Sequence, residues 1–288
     1  MNKRTLIGFI GQGWIGQNYA NDFENRGFDV VRYALEDPYI NNKEKIKDCD
    51  MVFIAVPTPT TIDGFDYSIV DNALSLIGEG KIAVIKSTIL PKTTEGLQKN
   101  HPQVFVLHSP EFLTEATAAH DAANPNRNII GLPVMNDEYK EKAREVLAVL
   151  PKASFEQICS AREAELVKYA GNIFLYFKVI FANIFYDYAS TANARWDEIK
   201  DAVGADPRIG KSHLHPIHQS GRGAGGHCFI KDFAAFREIY EKEVGDKHGV
   251  AALKALEEKN IALLINSEKN LDLLSGVYGE KVFEKNLL

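Results

Sequence analysis

The feature that most constrains this chain is a glycine-spaced turn close to its start. The apolar run Leu6–Ile10 leads directly into Gly11-Gln12-Gly13-Trp14-Ile15-Gly16, and a helical pattern follows. Strand, G-x-G-x-x-G and helix, in that order, make up the phosphate-binding βαβ unit of dinucleotide enzymes. Gly11 permits the tight turn, Gly13 lets backbone approach a pyrophosphate, and Gly16 allows the helix to pack closely on the strand. The first helical N–H groups and the positive dipole end then face the phosphates. Gly11, Gln12, Gly13, Trp14, Ile15 and Gly16 are therefore expected to hold a dinucleotide.

The rest of the first half keeps the same rhythm. Leu6–Ile10, Asp29–Tyr33, Met51–Val56, Ile82–Lys86, Val104–Leu107 and Asn128–Leu132 read as strands, near-continuously apolar as strands buried on both faces tend to be. Helical patterns such as Gln17–Asn25, Ser68–Leu76 and Glu138–Leu150 separate most of them. This alternation predicts a Rossmann-type, doubly wound parallel α/β sheet over residues 1–159. The segment from Ala34 to Asp50 leaves room for little more than one helical turn and a loop.

Beyond Pro151 the pattern changes. One more strand, Ser154–Ile158, precedes a long amphipathic helix over about Ala161–Ala192, opened by a capping box, Ser160-x-x-Glu163. Its Phe174, Phe177, Phe181 and Phe185 are more apolar surface than one neighbouring domain needs. A loop rich in Gly, His and Pro spans Gly204 to Cys228, and helical patterns resume to the end. Residues 160–288 are thus expected to form a helical second domain.

Composition excludes several classes. Thirty-three Lys and Arg against 39 Asp and Glu give a net charge of −6, so a general nucleic-acid binder is not expected. No run of about 18 apolar residues exists to span a membrane. The first apolar run is too short, and too soon broken by Gly11, for a signal peptide. Three scattered cysteines, Cys49, Cys159 and Cys228, make no disulfide framework, so a reducing, cytoplasmic setting is expected.

The acidic residue that usually ends the second strand is missing; the ribose position falls near Ala34. An acid there would bond the ribose 2′-hydroxyl, and a nearby Arg would suit a 2′-phosphate. Arg32 precedes the position, and Glu36 and Asp37 follow it. NAD is expected ahead of NADP.

Six further stretches carry a resemblance: Val56-Pro57-Thr58-Pro59, Lys86-Ser87-Thr88, Ser109-Pro110-Glu111-Phe112-Leu113-Thr114-Glu115, Lys168-Tyr169-Ala170-Gly171-Asn172, Asp206-Pro207-Arg208-Ile209-Gly210, and Gly225-Gly226-His227-Cys228-Phe229-Ile230-Lys231-Asp232. In this order they resemble the UDP-glucose/GDP-mannose dehydrogenase family, from residue 5 to about 265. The resemblance implies oxidation of a nucleotide sugar's 6-hydroxymethyl group to a carboxylate, with two NAD per turnover and a thioester on a cysteine. It implies a homodimer built on the long helix.

The residues suit that chemistry. Cys228 sits in a glycine-rich turn just ahead of a predicted helix, where a helix N-terminus and a nearby Lys favour the thiolate. Asp232 lies one helical turn further on, and Lys168 and Asn172 repeat that spacing on the long helix. The resemblance gives Asp232 the ordering or deprotonation of the hydroxyl and the hydrolytic water. It gives Lys168 and Asn172 the reacting oxygen, Lys168 stabilising negative charge as it develops. Glu111 would order catalytic water, and Glu115 would contact substrate and cofactor. Thr88 would lie beside the nicotinamide, with Pro57, Thr58 and Ser87 lining the cofactor. Lys231, Gly223, Gly225 and Arg208 match substrate-contacting positions, Arg208 reaching a neighbouring subunit's site.

The pattern also departs from the family. Members usually continue for a hundred or more residues into a second α/β domain that grips the nucleotide, whereas this sequence stops at Leu288; much of that grip is expected to be missing. Ala224 stands where an aromatic often precedes the Gly-Gly. His227 is like that of members acting on N-acetylhexosamines, whereas Phe229 and Lys231-Asp232 are like the glucose type, so the sugar stays open. His213, His215, His218 and His227 flank Cys228, but their spacing matches no metal motif, and a metal would occupy the nucleophile; no metal is expected. Two alternatives stand beside the main reading. One is a two-electron NAD(P)-dependent hydroxyacid dehydrogenase, which needs no thiol. The other is a non-catalytic subunit of a nucleotide-sugar enzyme.

Overall fold

The apolar runs of the first half become the interior of a seven-stranded sheet. The structure, a computed structural model, describes residues 5–219 and 221–284. Ser220 of the glycine-rich loop and the end at Leu288 lie outside the described residues. The strands are β1 (Leu6–Ile10), β2 (Asp29–Tyr33), β3 (Met51–Ile54), β4 (Ile82–Ile85), β5 (Phe105–His108), β6 (Arg127–Leu132) and β7 (Phe155–Ser160). The helices are α1 (Trp14–Asn25), α2 (Ser68–Leu74), α3 (Thr93–Asn100), α4 (Ala118–Ala123), α5 (Asp137–Val149), α6 (Ala161–Thr191), α7 (Trp196–Gly204), α8 (Gly226–Ile239), α9 (Lys247–Asn266) and α10 (Leu271–Tyr278).

The sheet order is β2-β1-β3-β4-β5-β6-β7. The first five strands are parallel, as expected, but β6 runs antiparallel to β5, meeting it at His108 and Gly131. A parallel neighbour needs a crossover, usually a helix laid along the sheet. Here the link forms a loop, a single 3-10 turn and the six-residue α4 instead. On one face of β1 and β3, Phe9 stacks on Phe53 at 5.1 Å, and Phe23 of α1 meets Phe9 edge-on at 5.4 Å.

Local chemistry explains the other departures. Strand β3 ends at Ile54, short of the expected Val56, because the Ser87 hydroxyl takes both Val56 backbone groups: Val56 N–H donates to it and it donates to Val56 C=O. The 34–50 segment holds more helix than expected. Ile40–Asp48 winds as nine residues of tight 3-10 helix, anchored by the buried Ile46. The capping box forms as its spacing predicts: Ser160 N–H donates to the Glu163 carboxylate at 2.8 Å, and Glu163 N–H to Ser160 Oγ at 3.4 Å.

The chain divides into two compact units. The first comprises residues 1–58 and 66–168 and contains the sheet; the second comprises 59–65 and 169–288 and is mainly helical. Within the second, Ile173, Tyr176 and Ile180 of α6 bury against Phe233 of α8 and Leu253 and Leu263 of α9, with Tyr176 stacked on Phe233 at 4.0 Å. Two short hairpins, Thr60–Thr61 with Gly64–Phe65 and Ile217–His218 with Gly221–Arg222, were not anticipated from sequence.

Candidate active site

The glycine turn has the geometry its spacing requires. Gly11 has a φ of +90°, and a Cβ there would lie 2.2 Å from the Ala55 carbonyl oxygen; one on Gly16 would lie 2.0 Å from that of Gly11. These two glycines exist for backbone packing. A Cβ on Gly13 would meet nothing within 4 Å, so its open side is where a ligand can approach. The α1 N-terminus has no side-chain cap and no acid in its first turn. Its unmet N–H groups and dipole suit a pyrophosphate. Gln12 lies at the turn with its Nε2 on the Gly11 carbonyl at 3.1 Å, and Trp14 and Ile15 begin the helix. These residues fit the dinucleotide that the turn's spacing predicts.

Gly11 N–H donates to the Tyr33 carbonyl at 2.9 Å, which sets the end of β2 beside this turn. Ala34 is buried there, and Glu36 and Asp37 are exposed on the following loop. Arg32 is turned to α1, where Glu24 and Asn21 hold its guanidinium.

At the carboxyl ends of β4 and β5 a second group of side chains gathers. Ser87 is buried against the Val56 backbone, and the buried Thr58 donates its hydroxyl to the Thr88 carbonyl at 2.7 Å; Pro57 between them is exposed. From the first turns of α6, the fully buried Glu165 accepts from Lys92 N–H, Thr94 N–H and the Thr94 hydroxyl at 2.6–2.8 Å. It therefore ties down the far end of the Thr88 loop. One turn further along α6, Lys168 donates to Glu111 Oε1 at 2.7 Å and to the Glu111 carbonyl at 2.9 Å. Both side chains are buried, and Glu111 Oε2 accepts from Leu113 N–H. Glu115, by contrast, is exposed at the start of the 3-10 turn Glu115–Thr117. The four-residue spacing of the two glutamates is not helical here, because Pro110 to Thr114 form irregular loop.

Two buried bases complete this group. Lys86 donates to Ser109 Oγ at 3.0 Å and lies over the Tyr19 ring. Burial brings its ammonium pKa down to about 8, with Glu111 pulling the other way. His108 is fully buried, its ring against the Ile85 backbone, which opposes the lowering of its pKa. Burial, with Lys86 and Lys168 adding to it, brings its pKa down to about 3 and keeps it neutral.

The second unit carries the thiol. Cys228 is exposed in the first turn of α8, inside the helix and not ahead of it as the glycine run suggested. Gly225 is the N-cap residue and Gly226 the first helical one. One turn beyond Cys228, Asp232 is only 1% exposed. It accepts from Asn172 Nδ2 on α6 and from Lys231 Nζ, each at 2.6 Å. The first turn of a helix suits a nucleophilic sulfur, and the carboxylate of Asp232, fixed by its two donors, can accept a proton from a substrate hydroxyl.

The loop ahead of α8 is held by residues that no motif pointed to. Asn260 pairs with the Ala224 backbone on both sides, at 2.7 and 3.0 Å; the buried Lys269 donates to the Gly223 carbonyl at 3.0 Å; and Asn270 Oδ1 accepts Gly226 N–H at 2.9 Å. Arg222 is clamped by Asn183 and Asp187 of α6. Arg208 is exposed and paired with Asp206 of its own turn at 2.6 Å. His215, His218 and His227 are exposed, and His213 is half-buried near Phe229. Among the described residues no three His, Cys, Asp or Glu side chains converge as a metal site would require. No helix among them is long and apolar enough to cross a membrane.

The sheet order and phosphate turn define a dinucleotide-binding domain, followed in the chain by a helical one. The chain belongs to the UDP-glucose/GDP-mannose dehydrogenase family: residues 37–150 match that family's NAD binding domain and residues 162–261 its central domain. It is 31% identical over 282 aligned residues to a UDP-glucose 6-dehydrogenase of Rickettsia conorii, covering 89% of this chain and 63% of that enzyme's length. The structure of a UDP-glucose dehydrogenase from the hyperthermophilic archaeon Pyrobaculum islandicum aligns with a TM-score of 0.76 at 26% identity, covering 92% of this chain and 71% of that one. The fold alone is shared with a 3-hydroxyisobutyrate dehydrogenase of Mycobacterium tuberculosis, at 14% identity and a TM-score of 0.70, covering 99% and 100% of the two chains.

Proposed function

We propose that this chain is the catalytic part of an NAD-dependent nucleotide-sugar 6-dehydrogenase, oxidising a sugar's 6-hydroxymethyl group to a carboxylate through a covalent adduct on Cys228. The observation that carries the reading is the exposed Cys228 one helical turn from the buried Asp232, which Asn172 and Lys231 hold in place. The Rickettsia relative, a UDP-glucose 6-dehydrogenase, makes a UDP-hexose the first substrate to try.

NAD, when bound, accepts the hydrides of the two oxidations. Asp232, held by its two donors, takes the proton of the hydroxyl in the first oxidation. The Cys228 thiolate then adds to the aldehyde carbon, giving a thiohemiacetal whose oxidation leaves a thioester. Lys168 and Asn172 stabilise the oxygen as it becomes anionic. Water, ordered by Glu111 and Asp232, adds to the thioester carbonyl and releases the carboxylate and the thiol. The covalent step divides one difficult oxidation into easier ones. Thr88, Thr58, Pro57, Ser87 and Glu115 line the cofactor in this reading, and Lys231, Gly223, Gly225 and Arg208 the substrate.

The same reading makes the chain a homodimer. Phe174, Phe177, Phe181, Ile184, Phe185 and Tyr188 leave an exposed apolar stripe along α6, and a patch of this kind marks a protein interface. Incubation with NAD and a panel of UDP- and GDP-sugars tests the function. Two NADH per sugar acid are expected; no NADH with any sugar overturns it.

A further inference from the structure

Arg32 stands two residues before the ribose position, where an arginine ordinarily invites the 2′-phosphate of NADP. Its side chain is committed elsewhere. Nε and Nη2 donate to the two oxygens of Glu24 at 2.9 and 2.6 Å, and Nη2 also donates to Asn21 Oδ1 at 2.8 Å. The Arg32 side chain is only 10% exposed. Asn42 Nδ2, from the 3-10 segment, donates to the Arg32 carbonyl at 2.9 Å and fixes the strand at that point. Gln17, Asn21, Glu24, Arg32, Tyr39 and Asn42 line most of an open polar pocket of about 490 Å³.

The position of the partners decides what this clamp does. Glu24 belongs to the last turn of α1, whereas the phosphate turn lies at its start. Asn21 and Glu24 lie seven and ten residues along α1 from Trp14, roughly 10 and 15 Å from its start at 1.5 Å per residue. The guanidinium, held between Asn21 and Glu24, is drawn along α1 away from the turn that would hold the cofactor's phosphates. To reach a phosphate on the ribose it must leave a two-point carboxylate contact, the strong geometry for arginine. The clamp also leaves Arg32 neutralised, so a 2′-phosphate finds no unbalanced positive charge there.

We propose that Glu24, assisted by Asn21, is a cofactor-specificity residue that favours NAD(H) over NADP(H) by withholding Arg32. It is a positioning residue, acting only through that guanidinium. The inference rests on the reading that the first unit binds a nicotinamide dinucleotide.

Direct titration with NADH and NADPH, without sugar, tests both levels. Wild type is expected to bind NADH and to bind NADPH more weakly. Glu24→Gln, which keeps the side-chain shape, and the double variant Glu24→Ala/Asn21→Ala are expected to tighten NADPH binding, the double variant by about tenfold. NADH binding should stay within about twofold and reports that the domain is folded. Adding Arg32→Ala should abolish the gain. A gain that survives without Arg32 would mean that simple removal of negative charge is at work and would overturn the proposal. So would unchanged NADPH affinity in variants that still bind NADH. Failure of wild type to bind NADH would instead remove the cofactor reading, and the inference with it.

Discussion

Lys168 and Glu111, 57 residues apart in sequence, form an ion pair at 2.7 Å with both side chains almost fully buried. Each charge is tolerated because the other is present. Removing one partner of a buried pair strands the remaining charge, at a cost of about 3–5 kcal/mol. Lys168→Met is therefore expected to lower unfolding stability by that order, measured by urea denaturation. Lys168→Met/Glu111→Gln should lose less than the sum of the two single variants. Strict additivity would contradict this account.

Lys86 gives the pH dependence. Its ordinary pKa of 10.5 falls to about 8 on folding. Below pH 8 both states carry the proton, and the folded state bears the full cost of the buried charge, roughly 3 kcal/mol. Between pH 8 and 10.5 the unfolded state holds more protons, so this group's contribution to stability rises with pH. Lys86→Met should be the more stable protein at pH 7, and its advantage should shrink between pH 8 and 10. A difference that does not vary with pH would refute the assignment.

The α6 stripe is tested by solution mass. Phe181 and Phe185 lie 4.5 Å apart, both exposed. Light scattering at micromolar concentration should give twice the chain mass for wild type and the single-chain mass for Phe181→Glu/Phe185→Glu. A monomeric wild type removes the interface.

Asp232 should matter to rate more than to stability of the substrate complex. Asn in its place turns an amide towards Asn172 or Lys231 and cannot take a proton. Asp232→Asn is expected to lower kcat by about 10²–10⁴-fold with a much smaller change in KM. Equal losses in binding and turnover would make Asp232 a structural residue.

Much of this was legible in sequence wherever backbone geometry restricts residue choice. The Gly11–Gly16 turn, the strands and the Ser160–Glu163 cap each leave a local signature. Glu111, Lys168, Asn172, Cys228 and Asp232 stood out through motifs and spacing. Burial did not: Glu111 and Glu115 look alike in sequence, yet one is buried against a lysine and the other is exposed. The supports were also hidden. Asn260 and Asn270 reach backbone 36 and 44 residues away, and a polar residue on a helix or turn reads as solvated until its partner is known. Glu165 sits on α6 like any charged helical residue; only the structure reveals it as the cap of α3. Arg32 was visible, but its commitment to Glu24 needed the strand and helix side by side.

The central claim is that Cys228 carries the second oxidation. The decisive measurement compares wild type and Cys228→Ser, with NAD and whichever nucleotide sugar the panel identifies, counting both NADH and sugar acid. Wild type should yield two NADH per carboxylate. The serine variant should form no carboxylate and leave aldehyde or a trapped ester-like adduct. Carboxylate formed at the wild-type rate by Cys228→Ser would contradict the covalent mechanism.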